Sequence, residues 1–173
     1  VEASVLGHAS GRATHGHRFM GAGVAEIAHA NDYTKVLKKL HVIADQDERI
    51  GIIEAQLQQA IGDDVLNENP ALLDEVAALT EWPVVLRGNF PEQYLALPDE
   101  VMISVMEKHQ RYFALKGRDG NLVSSFVMVA NIESKDPAQV IAGNERVIRP
   151  RLADGEFFWN ADSQTRLADR VAG

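Results

Sequence analysis

The 173-residue sequence has no cysteine, which excludes disulfides and thiolate metal sites and suits a reducing compartment. It has no uninterrupted apolar run long enough to cross a bilayer. Its opening, VEASVLGHASGRATHGHRF, lacks the basic, then apolar, then small-residue order of a secretory signal. The chain therefore reads as cytoplasmic, with no membrane partner. Catalytic signatures are missing as well. There is no Gly-x-Ser-x-Gly elbow and no His-Glu-x-x-His run, and Gly21 and Gly23 form a Gly-x-Gly without the third glycine or Lys-Ser/Thr of a phosphate loop. Ser104, Ser124 and Ser125 fall in helix and strand patterns beside no identifiable base, so no catalytic residue is assigned. Repeats and low-complexity segments are absent too, and 46% hydrophobic residues in 19.0 kDa suffice for one substantial domain.

Cations are scarce in one place. Between Asp45 and Glu81 there are ten acidic residues and only Arg49 to oppose them, a local balance of −9 against a net charge of −8 for the whole chain. An acidic protein is a poor match for a polyanion, but phosphate binding responds to potential within a Debye length, about 8 Å at physiological salt. The near-neutral remainder leaves room for a basic patch. The carboxylates of the block are best read as the solvated face of amphipathic helices.

What is present is an irregular alternation of helix and strand patterns, which predicts a mixed α/β (α+β) domain. Val1–Leu6 is a short β-branched stretch, followed by loop material to Gly16, and Gly21 and Gly23 mark a turn. A helix follows a cap at Asn31, with Tyr33, Val36, Leu37 and Leu40 on one face; HVIA at 41–44 suggests a buried strand. The segment 45–62 is the best-defined helix, with an acidic first turn, Ile50, Ile53, Leu57 and Ile61 in phase, and Gly62 as its stop. Asn69 caps the next helix, with Pro70 at its first position and Leu72, Leu73, Val76 and Leu79 facing the core. PVVLRGNF (83–90) reads as a strand, LPDEVMISVMEKHQ (97–110) as a helix opening at Pro98, and 111–131 as two strands around an Asp119-Gly120 turn. Residues 136–173 form a C-terminal helical segment. Within it Val147, Ile148, Leu152 and Trp159 recur at helical spacing as a buried face, and Pro150 predicts a kink or break. The chain opens on Val1 and stops inside the helical LADRVAG, so residues 1–173 are read as one domain cut from a longer chain.

HGHRF (15–19), EWPVVLRGNF (81–90), ISVMEKHQRYF (103–113) and VANIESKDPAQVIAGNERVIRPRLADGEFFWNAD (129–162) occur in order along the chain. Together they resemble the β subunit of the bacterial heterotetrameric glycine-tRNA ligase, in the N-terminal half of that subunit. The resemblance implies an aminoacyl-tRNA synthetase of two α and two β subunits that charges glycine onto its tRNA, with the adenylation site in the α subunit. ATP and Mg²⁺ are then cofactors of the whole ligase, with none assigned to a residue here. It also implies a fold similar to the B3/B4 domain of the phenylalanine-tRNA ligase β subunit. The family's His-Asp-type and C-terminal anticodon-binding domains are not visible, and no His-Asp dipeptide occurs. On this reading the domain serves tRNA positioning or subunit architecture. The alternatives are an editing-type hydrolase acting on mischarged tRNA and a scaffold that binds only protein. Glycine is the smallest substrate, so exclusion by size weakens the case for editing.

Two clusters could touch tRNA. In EKHQRYF, Lys108, His109 and Arg111 stand beside Tyr112 and Phe113, a combination suited to phosphates and unpaired bases, although at least one aromatic should belong to the core. In the C-terminal segment, Arg146, Arg149 and Arg151 offer guanidinium forks for phosphate. Here the first expectation is internal pairing, because Glu145 lies four before Arg149 and Asp154 three after Arg151. For His15 and His17, with His8 nearby, no third ligand is placed by spacing, so a hydrogen-bonded or surface role is expected, with Arg18 beside Phe19 tying the segment to the body.

Overall fold

The computed structural model of the protein describes residues 3–21 and 23–164. The readings that fall on Val1, Glu2, Ala22 and residues 165–173 lie outside the described residues. Two small antiparallel hairpins come first, β1 (Ser4–Val5) with β2 (His8–Ala9) and β3 (Ala13–His15) with β4 (Val24–Glu26). A 3₁₀ turn leads into α1 (Tyr33–Lys39), followed by α2 (Gln46–Ile61), β5 (Val65–Leu66), α3 (Pro70–Leu79) and β6 (Val84–Asn89). After a second 3₁₀ turn come α4 (Asp99–Ile103), a π-helical turn over Ser104–His109, β7 (Phe113–Lys116), β8 (Leu122–Ala130) and α5 (Pro137–Ser163).

The main sheet has the order β5-β7-β8-β6, antiparallel throughout. Successive strand side chains point to opposite faces, and here both faces are apolar. Phe126 and Met128 of β8 join Tyr112 and Ala114 under α4, the π turn and α5. Val127 joins Phe113 and Leu115 under α2 and α3. The result is a three-layer helix–sheet–helix arrangement in a mixed α/β chain. Gly88 sits opposite Phe126 in the register, and a Cβ there would meet the Phe126 ring at 2.6 Å, so only glycine lets that ring lie flat against Tyr112.

The helix ends follow their sequences. Asp45 Oδ1 accepts from Glu48 N at 3.0 Å and Asn69 Oδ1 from Leu72 N at 3.0 Å, both N-caps. Arg87 of β6 caps the other end of α2, donating to Ile61 O at 2.8 Å and to Asp64 Oδ2 at 2.6 Å. Such charge-assisted bonds answer the unpaired carbonyls of a helix C-terminus. Gln56 of α2 lies along the outer side of β6, accepting from Val85 N at 2.8 Å and donating to Pro83 O at 3.1 Å. Farther along, Glu145 Oε1 accepts from Asn89 N at 2.8 Å.

Several expectations are corrected. HVIA is no strand but the C-cap of α1. His41 takes the left-handed position (φ 59°) while Val42 N returns to Leu37 O, a Schellman closure that consumes the amides a strand would need. Tyr33 and Leu79 lie in solvent rather than on the core faces of α1 and α3. On α5, Ile148 and Leu152 are fully buried, whereas Val147 and Trp159 are 48% and 44% exposed. Nor does α5 break at Pro150; it runs unbroken for 27 residues. An interior proline costs about 3 kcal/mol, while burying Ile148 and Leu152 together returns roughly 3–6 kcal/mol. Holding both halves of the helix on one core therefore wins.

Glu107, 6% exposed, is the one buried carboxylate among the described residues. It accepts from Asn67 Nδ2 and from Asn69 Nδ2, each at 2.8 Å, so a single carboxylate joins the π turn to the cap of α3. Glu107→Ala leaves both amides unanswered and should lower unfolding free energy by about 2–4 kcal/mol, measured by urea denaturation. A loss under about 0.5 kcal/mol, the range of an ordinary surface substitution, would show the clasp to be dispensable.

Candidate functional site

The EKHQRYF segment is shaped by its π turn. An α-helix places successive side chains about 100° apart, whereas here Val105, Met106 and Glu107 are all buried in succession. Lys108 and His109 consequently face solvent, with no ion-pair partner among the described residues. The chain then turns through Arg111 in the left-handed region (φ 58°), closed by Tyr112 N to Met106 O at 2.9 Å. Arg111 Nε donates to Glu75 Oε1 of α3 at 2.6 Å. Tyr112 and Phe113 both enter the core, on opposite sides of the sheet. Tyr112 stacks on Phe126 with centroids 4.6 Å apart, and its hydroxyl donates to Asn144 Oδ1 at 2.6 Å. The expected pairing of cations with base-stacking aromatics is thus not assembled here: Arg111 is ion-paired and neither ring is free.

The arginine helix differs from expectation in the opposite sense. Asn144, Ile148 and Leu152, four residues apart, form the inward face of α5. Glu145 spends its carboxylate on Asn89 N, so the expected Glu145–Arg149 pair is not made. Arg151 Nη1 reaches Asp154 Oδ2 only at 4.0 Å, with both side chains exposed, a pair worth about 0–1 kcal/mol at most. Arg146 and Arg149 are exposed, and among the described residues neither has an ion-pair partner. Further along, Phe157 and Phe158 are exposed and meet edge to face at 5.5 Å. Arg146 and Phe157 are eleven residues apart, about three helical turns, and so share the outer face of α5. Sequence reasoning missed these aromatics. The signal was present, since three consecutive aromatic residues, Phe157 to Trp159, cannot all point one way from a helix.

The histidines are not brought together. His8 and His15 lie exposed on different hairpins, while His17 is buried, with Nε2 2.7 Å from Asn131 O and Nδ1 accepting from Phe19 N at 3.2 Å. Among the described residues, no group of three His, Asp or Glu side chains is placed to hold a metal ion. Gly16 permits the close approach, because a Cβ there would meet Leu40 Cβ at 2.5 Å. Arg18 and Phe19 are exposed, with the guanidinium 5.8 Å from the ring centroid. His17, and Met20 Sδ accepting from Glu133 N at 3.3 Å, attach this segment instead of Arg18.

The charge asymmetry of the sequence becomes an asymmetry of layers. α2, α3 and their connections carry the acidic block, and its one cation is turned inward, Arg49 donating to Ala77 O at 2.7 Å and to the Ile43 and Ala44 carbonyls. The layer on the other side of the sheet carries the unpaired Arg146 and Arg149. No helix among the described residues is long and apolar enough to cross a membrane.

A family model described as glycyl-tRNA synthetase beta subunit matches residues 1–173. The glycine–tRNA ligase beta subunit of Shewanella amazonensis is 48% identical over 176 residues, covering 99% of this chain and 25% of that protein. That of Acinetobacter baylyi is 46% identical over 174 residues, covering 98% of this chain and again 25% of the relative. The chain therefore spans about a quarter of the length of the curated relatives it matches.

Two measurements follow from the site geometry. Arg146→Gln and Arg149→Gln should each change unfolding free energy by less than about 0.5 kcal/mol, because no ion pair is lost; a loss above 1 kcal/mol would reveal a structural role. Burial raises the Tyr112 hydroxyl above its ordinary value of 10.0. The folded state then holds this proton more tightly than the unfolded one, so the contribution is present below pH 10 and falls away as pH rises through the raised value. Tyr112→Phe should flatten that alkaline loss in denaturation curves taken across the range, and parallel curves for the two proteins would contradict it.

Proposed function

The chain belongs to the glycyl-tRNA synthetase beta subunit family, and from that premise we propose that it is a tRNA-positioning part of a glycine-tRNA ligase, with α5 as the face turned to the nucleic acid. The whole ligase, of two α and two β subunits in the cytoplasm, uses ATP and Mg²⁺ to attach glycine to glycine-specific tRNA. These 173 residues supply no step of adenylation. They bind and orient, and they hold the subunit's architecture. The finer architectural proposal, a likeness to the B3/B4 domain, is supported by the mixture of helices with antiparallel strands.

The observation that carries the reading is the pair of exposed, unpaired guanidinium groups of Arg146 and Arg149 on the layer opposite the acidic helices. An arginine with no carboxylate partner keeps its whole fork for phosphate oxygens. The acidic layer repels a polyanion and so orients the encounter. Phe157, on the same outer face, offers a surface on which an unpaired base can stack. Lys108 and His109 are secondary contacts. Arg111, held by Glu75, and Arg151, beside Asp154, contribute less.

Binding of glycine-specific tRNA across a salt series tests this. Replacing Arg146 and Arg149 together with glutamine should weaken binding and lower the salt slope by about one for each phosphate contact removed. Lys108→Ala should have a smaller effect in the same direction. Unchanged affinity and slope in the double variant would overturn the assignment of α5.

A further inference from the structure

On the acidic layer, between α2 and the connection from β5 to α3, lies a groove of about 470 Å³ that the tRNA reading leaves unused. Its floor is apolar, made by Leu57 and Phe113 at the edge of the core and by the half-buried Leu66 and Leu73. Glu54 and Glu68 stand exposed at its rim, and neither has an ion-pair partner among the described residues. We propose that this groove seats a basic amphipathic segment of a protein partner, an apolar side chain entering the floor while lysine or arginine side chains meet Glu54 and Glu68.

The chemistry of the lining selects that occupant. Nucleic acid and anionic lipid are repelled by a layer that stays acidic, because Lys38, Arg87, Arg111 and Arg118 pair Glu48, Asp64, Glu75 and Asp63 but leave Glu54 and Glu68 without an ion-pair partner among the described residues. A free inorganic cation gains nothing from a floor of leucine and phenylalanine. A purely apolar segment would bury its contact area but leave two carboxylates facing it unanswered, a mismatch that costs more as water is excluded. Only a segment both apolar and cationic satisfies floor and rim together, as a helix laid in a groove does. Lysine and arginine are suited to this because their methylene stems pack on apolar surface while their charged ends stay at the rim. A second copy of the chain is a poor occupant. Of its two helices that carry several cations, α1 already buries Leu37 in its own fold and binds Glu48 through Lys38, and seating α5, which lies on the opposite layer, would join copies head to tail, a contact that runs on as a filament unless the rotation closes a ring.

The proposal stands apart from the tRNA reading because the two use opposite layers. The probe is a fluorescein-labelled synthetic Leu–Lys amphipathic peptide of about four helical turns, titrated into the full 173-residue chain beside a Leu–Glu counterpart. The Leu–Lys peptide should bind saturably and more weakly with added salt, shifting backbone amide resonances at Leu57, Leu66 and Leu73. Replacing Glu54 and Glu68 together with glutamine should weaken it about fivefold, the effect of losing two exposed ion pairs. Asp74→Asn with Glu81→Gln, which removes the same charge away from the groove, should weaken it less than twofold. Arg146→Gln with Arg149→Gln should leave it unchanged. Equal losses in the two acidic double variants, or resonance shifts scattered over the whole layer, would reduce the effect to diffuse attraction and overturn the site. Absence of peptide binding, or self-association abolished by Leu73→Ala, would overturn the choice of occupant.

Discussion

β8 is apolar on both of its faces, and neither face can be left in water. Phe126 and Met128 demand cover on one side and Val127 with Val129 on the other, so the four-stranded sheet needs two helical layers. α2 and α3 supply one. Only α5, with the short α4 and its π turn, remains for the other. This requirement explains why α5 keeps its course through Pro150, since breaking there would uncover either Ile148 or Leu152. It also sorts the charge. An acidic block confined to two consecutive helices becomes an acidic layer as soon as those helices share one face of the sheet, and the arginines of α5 are carried to the other side.

The layers are tied by polar contacts that avoid wasting a buried group. Glu107 answers two asparagine amides, and one of those asparagines also caps α3. To deliver this carboxylate the helix widens into a π turn, and to return the chain to the sheet Arg111 adopts a left-handed backbone. The functional effect is direct. That backbone turn sends the Arg111 side chain toward Glu75 on the acidic layer, away from Arg146 and Arg149. Arg111 is therefore withdrawn from the cations of the α5 layer, where Arg146 and Arg149 have no ion-pair partner among the described residues.

Much of this was readable beforehand, and the reasons are specific. Asn69 announced a helix start as a cap before Pro70, and the acidic first turn beginning at Asp45 announced another. Ile53, Leu57 and Ile61 announced a buried face by spacing alone, and the mixed class followed from alternating patterns. What failed depended on tertiary context. HVIA has strand-like side chains, but the backbone amides of 40–42 were already claimed by the end of α1. Glu145 and Arg149 have ideal spacing for a pair, yet Glu145 found an amide of β6, distant in sequence, and bound it instead. Tyr112 and Phe113 alternate as strand residues do, which requires at least one of them inside; covering both faces of the sheet buried both and left neither ring for a base. The exposed Phe157 and Phe158 were hidden from a spacing argument that followed the buried stripe beyond the end of the core it covers.

The outer side of β6 is dressed by side chains rather than by another strand. Gln56 behaves as a peptide group, taking the hydrogen of Val85 and giving its own to Pro83 O, and Glu145 takes the hydrogen of Asn89. An unpaired strand edge is an open template for another chain. Here part of the template, the amides of Val85 and Asn89, is already taken by groups from α2 and α5, and the opposite edge strand, β5, is two residues long. Strand-by-strand growth along β6 would first have to displace Gln56 and Glu145. Helix surfaces, whose side chains discriminate, are thereby favoured for meeting a neighbour over backbone hydrogen bonds, which do not, and crowded copies are held back from fusing their sheets.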